Sequence, residues 1–459
     1  MPKIPQLKDK LPFQNVRAYR DNPIGFVGEK LETQGDIFGV SFGKRNVMIT
    51  SNPAYAQQVL QTNHRNYQKA VGYRKLKLLL GNGLFTSEGE FWLNQRRLIQ
   101  PAFHKSHLAH FGEIMIEASE QMLLRWKYYF ANASASDQRQ FNLLEQMSEC
   151  TLEIVCESLL GQKLESGGKI VNEELPSTLR FLVRRVLNPL APPMWLPTPA
   201  NRKFKKSTKK LRGLITSLLF EKKHFNTEKT GQDLLSLLLH QKTESGEPMP
   251  NEQITDEILT FFLAGHETSA VALTWAFYEL NRNPNIENKL REEVLEVVGD
   301  KLITVSDLPK LTYCKQVCQE VLRLYPPAWA LAREAIEDDT LGDFYIQKGD
   351  SVVINTYWLH RNPEHWQNPT QFLPERWETE NSNQHKFAYA PFGGGPRLCI
   401  GNHFAMMEMQ IVLASVLQKY QLQFHTEPNG FDCALTLRPK SDLMVSISPL
   451  NKEWTLAGK

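Results

Sequence analysis

A mostly α-helical fold with small β-sheets is what this sequence predicts, and three observations carry the expectation. Apolar residues recur at helical spacing from Phe91 to about Leu159 and again from Asn251 to about Arg282. Two short runs, Asp36–Phe42 and Asn46–Thr50, read as strands around the turn Gly43-Lys44-Arg45. The chain has 459 residues, 41% hydrophobic and 22% charged, the balance of a globular protein with ample core. A net charge of +3 is too even to argue for nucleic acid. The six cysteines stand at 150, 156, 314, 318, 399 and 433, few and irregular for this length. That spacing argues against a disulfide framework and for a reducing compartment. Cys314 and Cys318 share a helix face without a second pair or a histidine nearby, so they read as packing rather than zinc ligands.

Taken in order, Met1-Pro2-Lys3-Ile4-Pro5 shows neither a signal-peptide core nor a spanning run, so the chain is expected to be soluble and cytoplasmic, without a transmembrane anchor. Ser51-Asn52-Pro53 supplies a helix start, with capping side chains before an N1 proline. Leu78 to Phe85, with Gly81 and Gly83, reads as an apolar loop. Trp92 and Arg96 project from one helix face, and the helical pattern breaks near Ala133–Ser136. The proline-rich stretch Leu190–Ala200, around Met194-Trp195-Leu196, separates helices at Glu173–Val186 and Lys203–Lys223. Its apolar tip suits either a peripheral membrane contact or a buried loop contact. The run Lys203, Lys205, Lys206, Lys209, Lys210 reads as a solvated face. Asn251–Arg282 would span about 45 Å as a helix. Its part from Ile258 to Leu280 is apolar nearly all round, which means burial. His266, Glu267 and Thr268 interrupt it too soon for a membrane span.

Chemistry concentrates in a few places. Cys399 stands between glycines in Phe392-Gly393-Gly394-Gly395-Pro396-Arg397-Leu398-Cys399-Ile400-Gly401, just before a helical pattern that includes Met409, Val412 and Val416. Backbone N–H groups and the positive end of that helix favour a thiolate, and the glycines let the backbone turn tightly and approach a flat ligand. Gly-Gly-Gly alone would be a tight turn with a structural cysteine, and no Gly-Lys-Ser/Thr follows to make a phosphate loop. Ala264-Gly265-His266-Glu267-Thr268 places an acid and a hydroxyl inside the apolar helix, where an unpaired carboxylate is costly. A helix kink with a packed glycine is the plain alternative. Glu320 and Arg323 lie on one face of a helix that Pro326-Pro327 ends, and Pro374-Glu375-Arg376-Trp377 follows downstream.

The pattern Phe-x-x-Gly-x-Arg-x-Cys-x-Gly resembles the haem-binding loop of the cytochrome P-450 superfamily, in which a cysteine thiolate ligates the haem iron. The other stretches resemble further motifs of that superfamily, in its order, over residues 92 to 401. The resemblance implies one domain over residues 1–459, with small sheets near 36–50, 341–356 and the C-terminus. It implies haem b held by Cys399, with Trp92, Arg96, Arg333, Arg397, Phe392, Gly401 and Ala264 around it. Thr268 and Glu267 are implied to deliver protons to bound O2, and Glu320, Arg323 and Arg376 to form a buried ion network under the cysteine loop. His266 falls at a variable position and takes no role. Trp377 stands where the superfamily more often has phenylalanine.

The implied reaction inserts one oxygen atom of O2 into a lipophilic substrate. No flavin, dinucleotide or ferredoxin-type motif is left over, so electrons are expected from an external ferredoxin and reductase. Arg97, Lys105, Lys315 and Lys419 are candidate contacts for such an acidic partner. Leu78–Phe85, Phe262, Ala264, Ala328–Leu331 and Leu443 are candidate walls of an apolar pocket. Leu324–Trp329, Ala264–Thr268 and Leu273-Thr274-Trp275 are similar to soluble bacterial carotenoid-ring hydroxylases, implying β-carotene-type hydroxylation. Fatty-acid or terpenoid hydroxylation is the alternative, and a haem-based sensor or isomerase the alternative class.

Overall fold

The longest helix crosses the molecule and the rest packs around it. The structure, a computed structural model, describes residues 4–7, 14–42, 45–132, 140–161, 167–187, 191–225, 233–242, 246–378 and 384–450. The helices that position the site are α1 (Val71–Leu80), α2 (Gly89–Ile99), α3 (Lys105–Asn132), α4 (Leu143–Leu160), α5 (Gly167–Leu187), α6 (Pro199–Phe225), α7 (Asn251–Arg282), α8 (Thr312–Leu324) and α9 (Asn402–Lys419). As its composition requires, α7 is buried on nearly every side from Ile254 to Leu280. It ends where the Asn283 side chain donates back to the Glu279 carbonyl (2.8 Å) and Pro284 begins the next helix. Against one flank lie α3, α4, α8 and α9, forming the larger core. Against the other lie α1, α2, α5 and α6, a second apolar cluster that shares α4 and α7.

Local chemistry sets the helix ends. Asn52 Oδ1 accepts from the N–H of Ala54 (2.8 Å) and Tyr55 (3.3 Å), with Pro53 in the first turn, as the sequence predicts. Asn142 caps α4 in the same way, and Gly161, at φ +68°, closes it in the left-handed conformation. Leu79 and Leu80 are the last residues of α1, so the expected apolar loop at Leu78–Phe85 begins only at Gly81. The expected break at Ala133–Ser136 lies outside the described residues.

One six-stranded sheet gathers distant parts of the chain: β1 (Gln6–Leu7), β2 (Ile37–Phe42), β3 (Arg45–Thr50), β4 (Tyr67–Lys69), β5 (Leu331–Ala335) and β6 (Ser351–Ile354), in the order β1-β2-β3-β6-β5-β4. The hairpin expected at 36–50 is β2–β3, pairing Ile37 with Thr50, and Arg45 belongs to the strand rather than the turn. Near the C-terminus β7 (Phe431–Cys433) and β8 (Leu437–Pro439) form a two-stranded ribbon. Strands β1 and β4 were not expected: two or three residues carry no legible alternation. Among the described residues no helix is long and apolar enough to cross a membrane.

Candidate functional site

The cysteine loop is built by packing on both sides. Gly393 and Gly395 take φ of +73° and +65°, which favours glycine. A Cβ on Gly395 would lie 1.8 Å from the Leu60 carbonyl oxygen, and one on Gly394 would lie 2.4 Å from the Phe387 ring. Protein neighbours thus account for those glycines. Gly401 differs, because its nearest neighbour would be the Phe103 ring at 4.0 Å. The Cys399 N–H donates to the Phe392 carbonyl (3.0 Å), closing the loop, and α9 begins three residues later at Asn402. Cys399 is reachable by solvent yet densely surrounded by protein, and that desolvation pushes its thiol above the ordinary cysteine value. The Gly401 N–H and the Arg96 guanidinium pull the other way. The expectation that backbone N–H groups and the helix end favour a thiolate therefore needs correction: within the protein alone, burial outweighs them.

Arg96 grips this loop from α2, and Arg397 of the loop reaches back to α2. Trp92 and Arg96 have different protein partners. The Arg397 guanidinium lies 4.1 Å over the Trp92 ring, while Arg96 Nη1 donates to the Leu398 carbonyl (2.9 Å). Arg397 also donates to the Ser87 carbonyl (3.1 Å) and forms an ion pair with Glu88. Its guanidinium is pulled down to about 10 by burial and by the nearby charge of Arg333. Arg333 is buried on β5 and stands directly opposite Lys69 on β4. Burial pushes Lys69 down, and so do Arg397 and Arg333. Like charges facing each other across strands are destabilising. Lys69, Arg333 and Arg397 thus crowd three basic groups around the Glu88 carboxylate under poor solvation.

On α7, Ala264 is exposed and Thr268 half-buried, although the helix is otherwise sunk in the core. Thr268 Oγ1 donates to the Ala264 carbonyl (2.5 Å). The room beside Gly265 belongs to the fold, since a Cβ there would come 2.8 Å from Val155 on α4. Glu267 is buried but not unpaired. Its Oε1 accepts from Thr436 (2.5 Å) and lies 2.9 Å from Arg438 Nε, both brought in by the C-terminal ribbon. His266 is buried on the side of α4, and burial holds its imidazole down to about 4.

Below the loop, Glu320 and Arg323 are fully buried. Glu320 accepts from Arg323 Nε (2.9 Å) and Nη2 (2.8 Å), Arg376 Nε (3.0 Å), the Leu373 N–H (2.9 Å) and Trp377 Nε1 (3.0 Å). Trp377 thus adds a donor that phenylalanine cannot offer. Arg323 Nη1 and Nη2 reach the carbonyls of His360 (2.9 Å), Pro369 (2.7 Å) and Gln371 (3.0 Å), so the buried guanidinium is fully used.

Of the candidate pocket walls, Ala264 is open, and Phe85, Ala328 and Leu331 are half-buried. Leu443 is not a wall, since it is sunk in the larger core with no exposed surface. Among the candidate partner contacts, Arg97 and Lys315 are exposed, whereas Lys419 is held by Glu120 and mostly buried. The Lys105 side chain lies outside the described residues. Sequence reasoning missed Lys69, Glu88, Thr436 and Arg438, whose only sequence signal was a charge or hydroxyl in a short strand or turn.

The residues suit haem b. Its two carboxylates match the basic groups of Lys69, Arg333 and Arg397. Iron bound at Cys399 would supply a positive partner for its thiolate. Gly401 leaves a face of the loop that no protein atom requires.

Four buried groups give a test of the fold's pH response. The folded-state values of His266 (about 4) and His360 (about 3) lie below the free imidazole, so their contribution is lost as pH falls below about 6.5. Glu257 (about 7) and Glu408 (about 8) lie above the free carboxyl, so theirs is lost as pH rises from about 4.5. The two pairs offset one another between about pH 4.5 and 6.5, where stability is expected to be flat. From about pH 6.5 to 8 a loss of about 2–3 kcal/mol is expected from the two glutamates. Urea unfolding across that range checks it, and Glu408→Gln should remove most of the alkaline loss.

The chain matches the family described as Cytochrome P450 over residues 10–445. It is 33% identical over 444 residues to Protein LUTEIN DEFICIENT 5, chloroplastic, of Arabidopsis thaliana, covering 92% of this chain and 72% of that protein. It is 33% identical to Cyclooctatin synthase of Streptomyces melanosporofaciens, covering 87% and 86%, and 31% identical to Cytochrome P450 4V2 of Homo sapiens, covering 88% and 81%. With its cysteine loop, cation cradle and central helix all inside the matched span, the chain belongs to the cytochrome P450 family: an O2-dependent oxidoreductase with haem b as its cofactor.

Proposed function

We propose that this P450 hydroxylates a ring of a lipophilic isoprenoid of the carotenoid type. The observation that carries the reading is likeness over 92% of the chain to a protein named for lutein, itself a hydroxylated carotenoid. The apolar, half-buried candidate wall residues Phe85, Ala328 and Leu331 support a substrate without charge. A terpenoid substrate is the second reading, because the likeness to Cyclooctatin synthase is as high, at 33%. Binding spectra with β-carotene, a cyclic diterpene alcohol and a long-chain fatty acid, followed by product analysis with a surrogate ferredoxin and reductase, distinguish them. Turnover of the diterpene but not the carotenoid overturns the first reading.

In this reading Cys399 is the iron ligand, and Arg397, Arg333 and Lys69 hold the haem carboxylates, with Trp92 and Arg96 fixing the loop. Bound haem supplies the oxidant for an unactivated C–H bond, drawing on O2 and two electrons. Thr268 passes a proton from its hydroxyl toward the open face beside Ala264, and Glu267 restores it. Thr436 and Arg438 hold the Glu267 carboxyl group in place beside Thr268 in the chain. Thr268→Ala is expected to lower product formed per reductant consumed by at least about tenfold, with substrate binding spectra unchanged. Unchanged coupling removes Thr268 from the proton path.

Electrons come from an external ferredoxin and its reductase, met by exposed basic residues such as Arg97 and Lys315. The protein works in the cytoplasm. Trp195, 77% exposed between α5 and α6, supplies the apolar tip for a peripheral membrane contact.

A further inference from the structure

His360 has no exposed surface and sits between the buried ion network and the cysteine loop. Its Nδ1 lies 3.1 Å from the Arg323 carbonyl oxygen, and its Nε2 lies 2.9 Å from the Ala390 backbone nitrogen. A carbonyl can only accept and an amide N–H can only donate, so the ring is neutral with its proton on Nδ1. The connection is reciprocal, because Arg323 Nη1 donates to the His360 carbonyl (2.9 Å). Beyond Ala390 the path continues in short steps. The Ala390 carbonyl accepts the Gly393 N–H (3.0 Å), and the Phe392 carbonyl accepts the Cys399 N–H (3.0 Å). The imidazole packs beside Tyr389, their ring centres 5.3 Å apart, and Tyr389 donates to the Gln319 carbonyl on α8 (3.0 Å). Side chain and backbone thus tie α8 to the start of the loop through a single rigid ring.

We propose that His360 is a positioning residue for Cys399, holding the Ala390–Phe392 turn so that the cysteine sulfur keeps its aim. An apolar residue of the same size would leave two buried backbone groups unpaired, one on each side. A positively charged ring would lose the acceptor that Ala390 needs. The inference rests on the reading of Cys399 as iron ligand.

Two substitutions separate the halves of the bridge. Asparagine places an amide N–H near the position of Nδ1, and glutamine places a carbonyl oxygen near that of Nε2. H360N therefore keeps a partner for Arg323 and drops Ala390, whereas H360Q keeps a partner for Ala390. Both are read in the haem-loaded, full-length protein, by the rate at which the reduced carbon-monoxide complex loses its thiolate-type spectrum and by hydrogen exchange in the peptide around Ala390. H360N is expected to lose the thiolate-type spectrum about tenfold faster than the parent and to exchange faster at Ala390, while H360Q stays within about twofold. Equal rates in the two variants, whether both fast or both like the parent, overturn the proposal, because a general packing role does not distinguish them. C399S is run alongside. If it keeps the thiolate-type spectrum, the ligation reading fails; if it loses the spectrum while both histidine variants behave alike, only the role of His360 fails.

Discussion

Replacing Cys399 with serine is expected to abolish the thiolate-type spectrum of the reduced carbon-monoxide complex and to reduce hydroxylation to background. The fold should survive. Cys399 is held by its backbone, through the N–H donated to Phe392, and serine keeps that bond. The surrounding arginines answer to other partners: Arg96 to the Leu398 carbonyl and Arg397 to Glu88 and Trp92. What serine lacks is an ionisable sulfur. Even the thiol is pushed up by burial here, and a serine hydroxyl ionises far less readily. Circular dichroism at parent strength with the thiolate band gone is the expected pair of results. A variant that keeps the band places the ligand elsewhere.

The second large effect is on stability. Glu320→Ala is expected to cost about 3–5 kcal/mol, because Arg323, fully buried, and Arg376, mostly so, are left facing a lost carboxylate. Domains are commonly stable by only about 5–15 kcal/mol, so the variant should be poorly folded or melt well below the parent. Urea unfolding of purified protein measures it, and a loss under about 1 kcal/mol would mean that the network is solvated in solution. Trp377→Phe is the milder comparison. It removes one of the donors to Glu320 and should cost about 1.5–3 kcal/mol, the range for a hydrogen bond to a charged group.

Much of the site was legible because its chemistry is local in the chain. Cys399 lies within a few residues of Arg397 and Gly401, and Glu267 stands next to Thr268 on one helix. The α7 boundaries followed from an apolar run long enough to leave no ambiguity about period. The short strand β4 was invisible for the opposite reason, and Lys69 went with it. Trp92 and Arg96 share a helix face, as their spacing predicts, but spacing cannot show that Arg397 arrives to stack on the tryptophan.

The sequence by itself determined the helical architecture, the buried central helix and the cysteine loop with its glycines, since periodicity and turn chemistry depend on residues only a few positions apart. Only the tertiary structure decided which charges meet. Lys69 faces Arg333 because β4 pairs with β5, and Glu267 finds Arg438 because a C-terminal ribbon folds back over α7. The burden of a buried charge depends on neighbours in space, and so does the reason for a glycine: Gly265 makes room for Val155 and Gly394 for Phe387, and neither partner can be found by reading along the chain.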